Sequence, residues 1–161
     1  MKKTILGAAV AVLASTSAAA QSSDSAQGTA TATVVAPIQI ANDGGELSFG
    51  VFVPSATLGS VSIATDGSRT GSNVSLATGG VVSADAFTVT GTGDRLFSIT
   101  SAATTVASNG NTMALTIDAP TSATLTAAGT YALNVGGTLT VGANQPAGDY
   151  QGTYTMTVAY N

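Results

Sequence analysis

Cysteine, histidine and tryptophan are absent from this sequence, and lysine occurs only at positions 2 and 3. Each absence removes a class of chemistry. Without cysteine there is no disulfide, no thiol nucleophile and no thiolate metal ligand. Without histidine, zinc loses its other common protein ligand. A serine likewise loses the base that would make it a nucleophile. Charge is scarce too, at 7% of residues. Two carboxylates could in principle cleave a glycosidic bond. However, Asp43, Glu46, Asp66, Asp85, Asp94, Asp118 and Asp149 mostly stand beside glycines or at expected strand ends, where acids shape turns. The sequence therefore points away from an enzyme: no catalytic residue, no cofactor and no small-molecule substrate is evident.

Metal chemistry fares no better. No aspartate-rich loop of the EF-hand kind and no calcium-binding glycine–aspartate repeat is present. The closest cluster, Asp43-Gly44-Gly45-Glu46, reads as a turn. The sequence thus offers no metal site. Asn73-Val74-Ser75 matches a glycosylation sequon that is common by chance. The scattered Thr-x-Thr runs lack the regular array of an ice-binding face.

The first twenty residues are expected to be a signal peptide, because three features occur in the required order. Lys2 and Lys3 give a positive start, residues 5–13 an apolar run, and Ala18-Ala19-Ala20 a small-residue cleavage site between Ala20 and Gln21. The apolar run is too short for a permanent membrane span, which needs roughly 20 residues. The chain is therefore expected to be exported to the periplasm, the cell surface or the medium. Cleavage removes both lysines, leaving Arg69 and Arg95 against eight acids and a net charge of −6. Nucleic-acid binding, which needs cations to neutralise phosphates, is excluded on that ground.

What the sequence does have is threonine, valine, glycine and period-two alternation. After a polar, disordered tail at 21–28, residues 29–161 are expected to form one β-sandwich domain. Across residues 29–40 every even position is apolar: Ala30, Ala32, Val34, Ala36, Ile38 and Ile40. Leu47, Phe49, Val51 and Val53 mark a second strand ending at Pro54; Val61 and Ile63 mark a third, before a turn at Asp66-Gly67. Shorter runs follow around Val74 and Leu76, Phe87 and Val89, and Phe97 and Ile99. Asn109-Gly110 is a strong hairpin signal, since both residues accept positive φ. Beyond it Met113, Leu115 and Ile117 alternate up to Pro120. Tyr131, Leu133 and Val135 precede Gly136-Gly137, which predicts a turn before Leu139 and Val141. In the final strand Tyr150, Tyr154, Met156, Val158 and Tyr160 share one face. Many short strands between glycine, proline and asparagine turns predict an all-β, Ig-like antiparallel sandwich.

Two stretches carry a resemblance. Leu47-Ser48-Phe49-Gly50, and Pro146-Ala147-Gly148-Asp149-Tyr150 followed by residues 154–160, resemble archaic chaperone–usher pilin subunits and spore-coat-U-like proteins. With Gly136 to Gln145 before that ending, the chain from about Thr29 also resembles a group of small Gram-negative secreted proteins catalogued as a domain of unknown function. The sequence departs from the pilin pattern in having no disulfide, and Gly152 stands where the spore-coat-like ending often has an acid.

The pilin resemblance implies a sandwich short of one strand, completed by the N-terminal extension of a neighbour. A periplasmic chaperone and an outer-membrane usher are the partners it implies. On that reading Ala30, Ala32, Val34, Ala36, Ile38 and Ile40 are the donor face, and Tyr154, Met156, Val158 and Tyr160 lie on the strand bordering the groove. The alternative is that residues 29–40 are the chain's own first strand, in a self-contained binding or adhesion module. The sequence leaves both open.

Overall fold

The computed structural model describes residues 22–161; the expected signal peptide and its cleavage position at Ala20 and Gln21 lie outside the described residues. Those residues contain strands and no helix, and every strand pairing is antiparallel. Fourteen strands follow one another along the chain. They are β1 (Gln39–Asn42), β2 (Ser48–Phe49), β3 (Phe52–Pro54), β4 (Gly59–Ile63), β5 (Arg69–Ser72), β6 (Val74–Leu76) and β7 (Val82–Ser83), then β8 (Asp85–Thr90), β9 (Leu96–Ser101), β10 (Thr104–Ser108), β11 (Asn111–Asp118), β12 (Ser122–Thr124), β13 (Thr130–Val141) and β14 (Met156–Tyr160).

The longest strand, β13, organises the rest. Along its first half it pairs with β8, which in turn pairs with β1. Along its second half it pairs with both β4 and β11, and these carry β5 and β10 outside them. A separate three-stranded sheet has the order β12-β9-β14, and two short ribbons pair β2 with β7 and β3 with β6. The result is an antiparallel β-sandwich with two neighbouring cores. Odd-numbered residues of β13 point inward throughout: Leu133 and Val135 enter one core, Leu139 and Val141 the other. The first core adds Phe49, Val61, Ile63, Val106, Met113 and Leu115; the second adds Val89, Phe97, Ile99, Leu125 and Met156. Ile117 packs against both.

Several local expectations hold. Ser108 pairs with Asn111 across a two-residue turn, with Asn109 at φ 47° and Gly110 at φ 82°. Positive φ at both central residues gives the twist that a tight hairpin needs. The Asp66-Gly67 turn also forms, with the Ser68 N–H donating to Asp66 Oδ1 at 2.9 Å.

Others need correction. Gly136-Gly137 is not a turn but the middle of β13. A Cβ on Gly136 would collide with the Ile63 carbonyl, and one on Gly137 would stand 3.0 Å from Thr116 O. These glycines let β4 and β11 close in on β13, so their role is closeness rather than reversal. The expected strand through Leu47 and Val53 breaks at Gly50 (φ 66°) into β2 and β3. The last strand is shorter than the alternation suggests. Gln151 bridges Ala107 beside β10, and the regular strand starts only at Met156 beside β9.

The first strand also starts late. Pairing with β8 begins at Gln39, two residues past Pro37. Proline has no N–H to give to a ladder. Val34–Asn161 forms one compact unit; residues 22–33, belonging to the other, are exposed and carry no strand.

Candidate functional site

The first and last strands are both sheet edges, as are β5, β10 and β12. β1 ends its sheet and pairs only with β8; β14 ends the three-stranded sheet and pairs only with β9. Each therefore presents one row of backbone N–H and C=O groups to whatever lies outside it, the usual weak point of a sheet. In-register pairing of Met156 with Ser101, Val158 with Ile99 and Tyr160 with Phe97 turns the even residues of β14 toward the second core. Met156 is buried, while Tyr154, Val158 and Tyr160 are half-buried. Ile38 and Ile40, from the β1 side, pack half-buried on the same core.

A tyrosine hydroxyl ties the two edges together at each end. Tyr160 Oη donates to the carbonyl of Ala36 at 3.0 Å and accepts the Thr92 N–H at 2.7 Å. At the other end Tyr154 Oη donates to Asp85 Oδ2 at 2.5 Å. Asp85, the first residue of β8, is 4% exposed. It also accepts Asn42 Nδ2 at 3.0 and 3.2 Å and the Ala86 N–H at 2.8 Å. A buried carboxylate is tolerable only when bonded in this way. The network links β1 through Asn42, β8 through Asp85 and the approach to β14 through Tyr154. Burial, then the hydrogen bond to Asp85, then that carboxylate's charge raise the Tyr154 hydroxyl well above its ordinary range. The Tyr154 ring also meets Phe87 edge-on, centroids 6.2 Å apart.

The sequence-predicted residues divide here. Tyr154, Met156, Val158 and Tyr160 all pack on the second core, Tyr154 ahead of the regular strand and the other three within it. Of the N-terminal set, Ile38 and Ile40 are seated in the chain's own core and Ala36 is held by its hydrogen bonds. Ala30 and Ala32 are exposed, and Val34 is 94% exposed.

Two residues matter that sequence reasoning passed over. Asp85 sits with the turn acids in the sequence, yet it is buried and braces the edge. Nothing local distinguishes it, because its partners lie 43 and 69 residues away. Arg69 donates to Phe49 O, Val51 O and Ala77 O at 2.9–3.2 Å, pinning the turn at Gly50. The other described cation, Arg95, is exposed beside Tyr160. It lines a depression of about 360 Å3 with Val35, Asp94, Leu96 and Asn161. A second depression, of about 280 Å3, is lined by residues that include Ile99, Ile117, Pro120 and Met156. Among the described residues no three acids gather as a metal site would require.

Residues 38–160 match the family described as domain of unknown function DUF4402, and the match begins one residue before β1. No curated protein and no solved structure matches the chain. The chain belongs to the DUF4402 family.

Proposed function

We propose that this member of the DUF4402 family is an exported, non-catalytic structural subunit, assembled by giving its N-terminal segment to the free edge of β14 in a neighbouring copy. One observation carries the proposal: an alternating apolar segment stands exposed on a chain whose last strand has an unpaired edge. Residues 30–34 have the alternation of a half-buried strand, yet Val34 is 94% exposed and Ala30 and Ala32 are exposed as well. Such a pattern gains nothing from facing water. Burying Val34 in a partner would contribute about 1.5–3 kcal/mol, and each alanine less. Ladder hydrogen bonds along β14 supply the rest, as in other strand additions. Export through the N-terminal signal and a periplasmic chaperone that covers the edge before assembly complete this reading.

The seating of Ile38 and Ile40 in the chain's own core favours a second reading, a self-contained binding module. It also limits the donor to residues before Ala36. Deleting residues 22–33 separates the two readings, because it leaves every described strand and both tyrosine links in place. Strand donation predicts a heat-labile ladder on gels for the uncut chain, and predicts that the shortened chain keeps its circular-dichroism spectrum and forms no ladder. Equal size distributions for the two chains would reject strand donation in favour of the binding module.

A further inference from the structure

We infer that the outer face of the large sheet, where it covers the first core, is a self-association surface on which a second copy of this chain packs face to face. Five strands form it, in the order β10-β11-β13-β4-β5. Val106, Met113, Leu115, Leu139 and Val61 turn inward from the first four, so their sequence neighbours point outward. Thr70 and Ser72 of β5 stand opposite Ser62 and Ser60 and share their side. The register sets these outward residues in rows. One row runs Thr116, Thr138, Ser62, Thr70, and the next runs Thr105, Ala114, Thr140, Ser60, Ser72. A third begins with Ala107 and Thr112. Ser60, Ser62 and Thr138 are half-buried, and every other side chain of the rows is exposed.

Three features suit this face to a copy of itself. No charged side chain stands in the rows, so a partner has no ion to strip of water. Asp118, on the same side of β11, lies at the strand's end opposite Gly136, where a polar rim belongs. No side chain in the rows is longer than threonine, so nothing stands proud and only an equally even surface can lie close against it. Hydroxyls here also find partners within the face, as between Ser62 Oγ and Thr138 Oγ1 at 2.8 Å, which lowers the cost of covering them. The remaining outward surfaces differ. Toward β1 the same sheet carries Gln39, Asn134 and Asp43, and the outer side of β9 carries the exposed Leu96.

Area sets the strength of the pairing. Five strands about 4.8 Å apart and three rows about 6.8 Å apart cover roughly 500 Å2. Two copies then bury about 1,000 Å2, the size at which specific but weak interfaces begin. The pair is therefore a reversible dimer, with its sheets aligned within about 30°. The face meets itself, so the association closes at two copies. It does not use β14 and stands independently of strand donation.

Sedimentation velocity on the full exported chain, from about 1 μM to about 1 mM, tests this, with a monomer–dimer equilibrium expected inside that range. Thr140→Arg, in the middle row of the middle strand, puts two unpaired guanidiniums into each dimer and should raise the dissociation constant at least about tenfold. Thr116→Arg, exposed on the next row, should act alike and serves if Thr140→Arg loses its circular-dichroism spectrum. Thr124→Arg, exposed on the outer side of β12, adds the same charge elsewhere and should leave the constant unchanged. A wild-type chain still monomeric at about 1 mM, an unchanged constant in the face variants, or an equal loss in Thr124→Arg would overturn the inference. The heat-labile ladder reports strand donation separately and should be the same in wild type and Thr140→Arg, so either proposal can fail alone.

Discussion

The two cores of this sandwich are built from the same alternation but are finished at their rims in opposite ways. Around the first core the sheet continues outward into β5 and β10, and the ribbons β2-β7 and β3-β6 fold beside it. Arg69 holds the turn between β2 and β3 by three bonds to backbone carbonyls. The second core ends at β1 and β14, where the Tyr154 hydroxyl reaches Asp85 of β8 and the Tyr160 hydroxyl reaches Ala36 ahead of β1. Its rim is aromatic and half-buried: Phe87, Tyr131, Tyr154 and Tyr160 all pack there. Both rims end in edge strands, β5 and β10 at the first core and β1 and β14 at the second. The difference is that the first is pinned by the Arg69 guanidinium on a turn, while the second is braced by tyrosine hydroxyls.

The strongest way to break the comparison is through its shared support. Phe97 has no exposed surface and meets Tyr131 edge-on at 5.6 Å. Phe97→Ala should cost about 3–5 kcal/mol in urea unfolding. Because β13 serves both cores, the loss should appear as one transition for the whole unit and not as separate melting of the second core. Two separated transitions would show that the halves are independent.

The tyrosine rim gives the next effect. Tyr154→Phe removes one partner of a buried carboxylate and should cost about 1–3 kcal/mol. It should also change the alkaline limb of stability. A free tyrosine ionises near pH 10, and in the fold the Tyr154 hydroxyl is held above that. The neutral form is thus favoured by folding. Its contribution is complete below about pH 10 and drains away as the pH rises further. Wild type should lose stability there faster than Tyr154→Phe; parallel curves would remove Tyr154 from the account.

A smaller, local change is expected in the other rim. Arg69→Met keeps the side-chain length but leaves three carbonyls without their donor. Hydrogen exchange should quicken in β2, β3, β6 and β7 while amides of β8 and β9 stay protected. Faster exchange across both cores would contradict the separation. The smallest effect belongs to Asp66, fully exposed in its turn, whose carboxyl is lowered by its hydrogen bonds to the Ser68 side chain and backbone. Its contribution is present above the ordinary carboxylate pKa and lost as the pH falls through the lowered value. Asp66→Ala should therefore flatten the acid limb slightly in a pH-dependent melt.

Much of this fold is legible in the sequence because its signals are local. Asn109-Gly110 specifies its own hairpin, and the odd positions from 131 to 141 specify one face. Gly136-Gly137 misleads for the same reason: a glycine pair in a turn and one in a crowded strand look alike until β4 and β11 are in place. The edge residues Tyr154, Met156, Val158 and Tyr160 are readable from period two. Their bracing by Asp85 and Ala36 is not, because those partners are fixed only by the packing of distant strands. Pro37 is the one local sign that β1 must begin late.

The position of β13 also has a consequence in time. β4, β8 and β11 all take it as their ladder partner, and all three precede it in the chain. Until residues 130–141 have been made, those strands can pair only with β5, β1 and β10, and the ladder that joins them is missing. Neither core has its full set of residues before then, because Leu133 and Val135 complete one and Leu139 and Val141 the other, so the long-range pairings that define the fold come last in the chain.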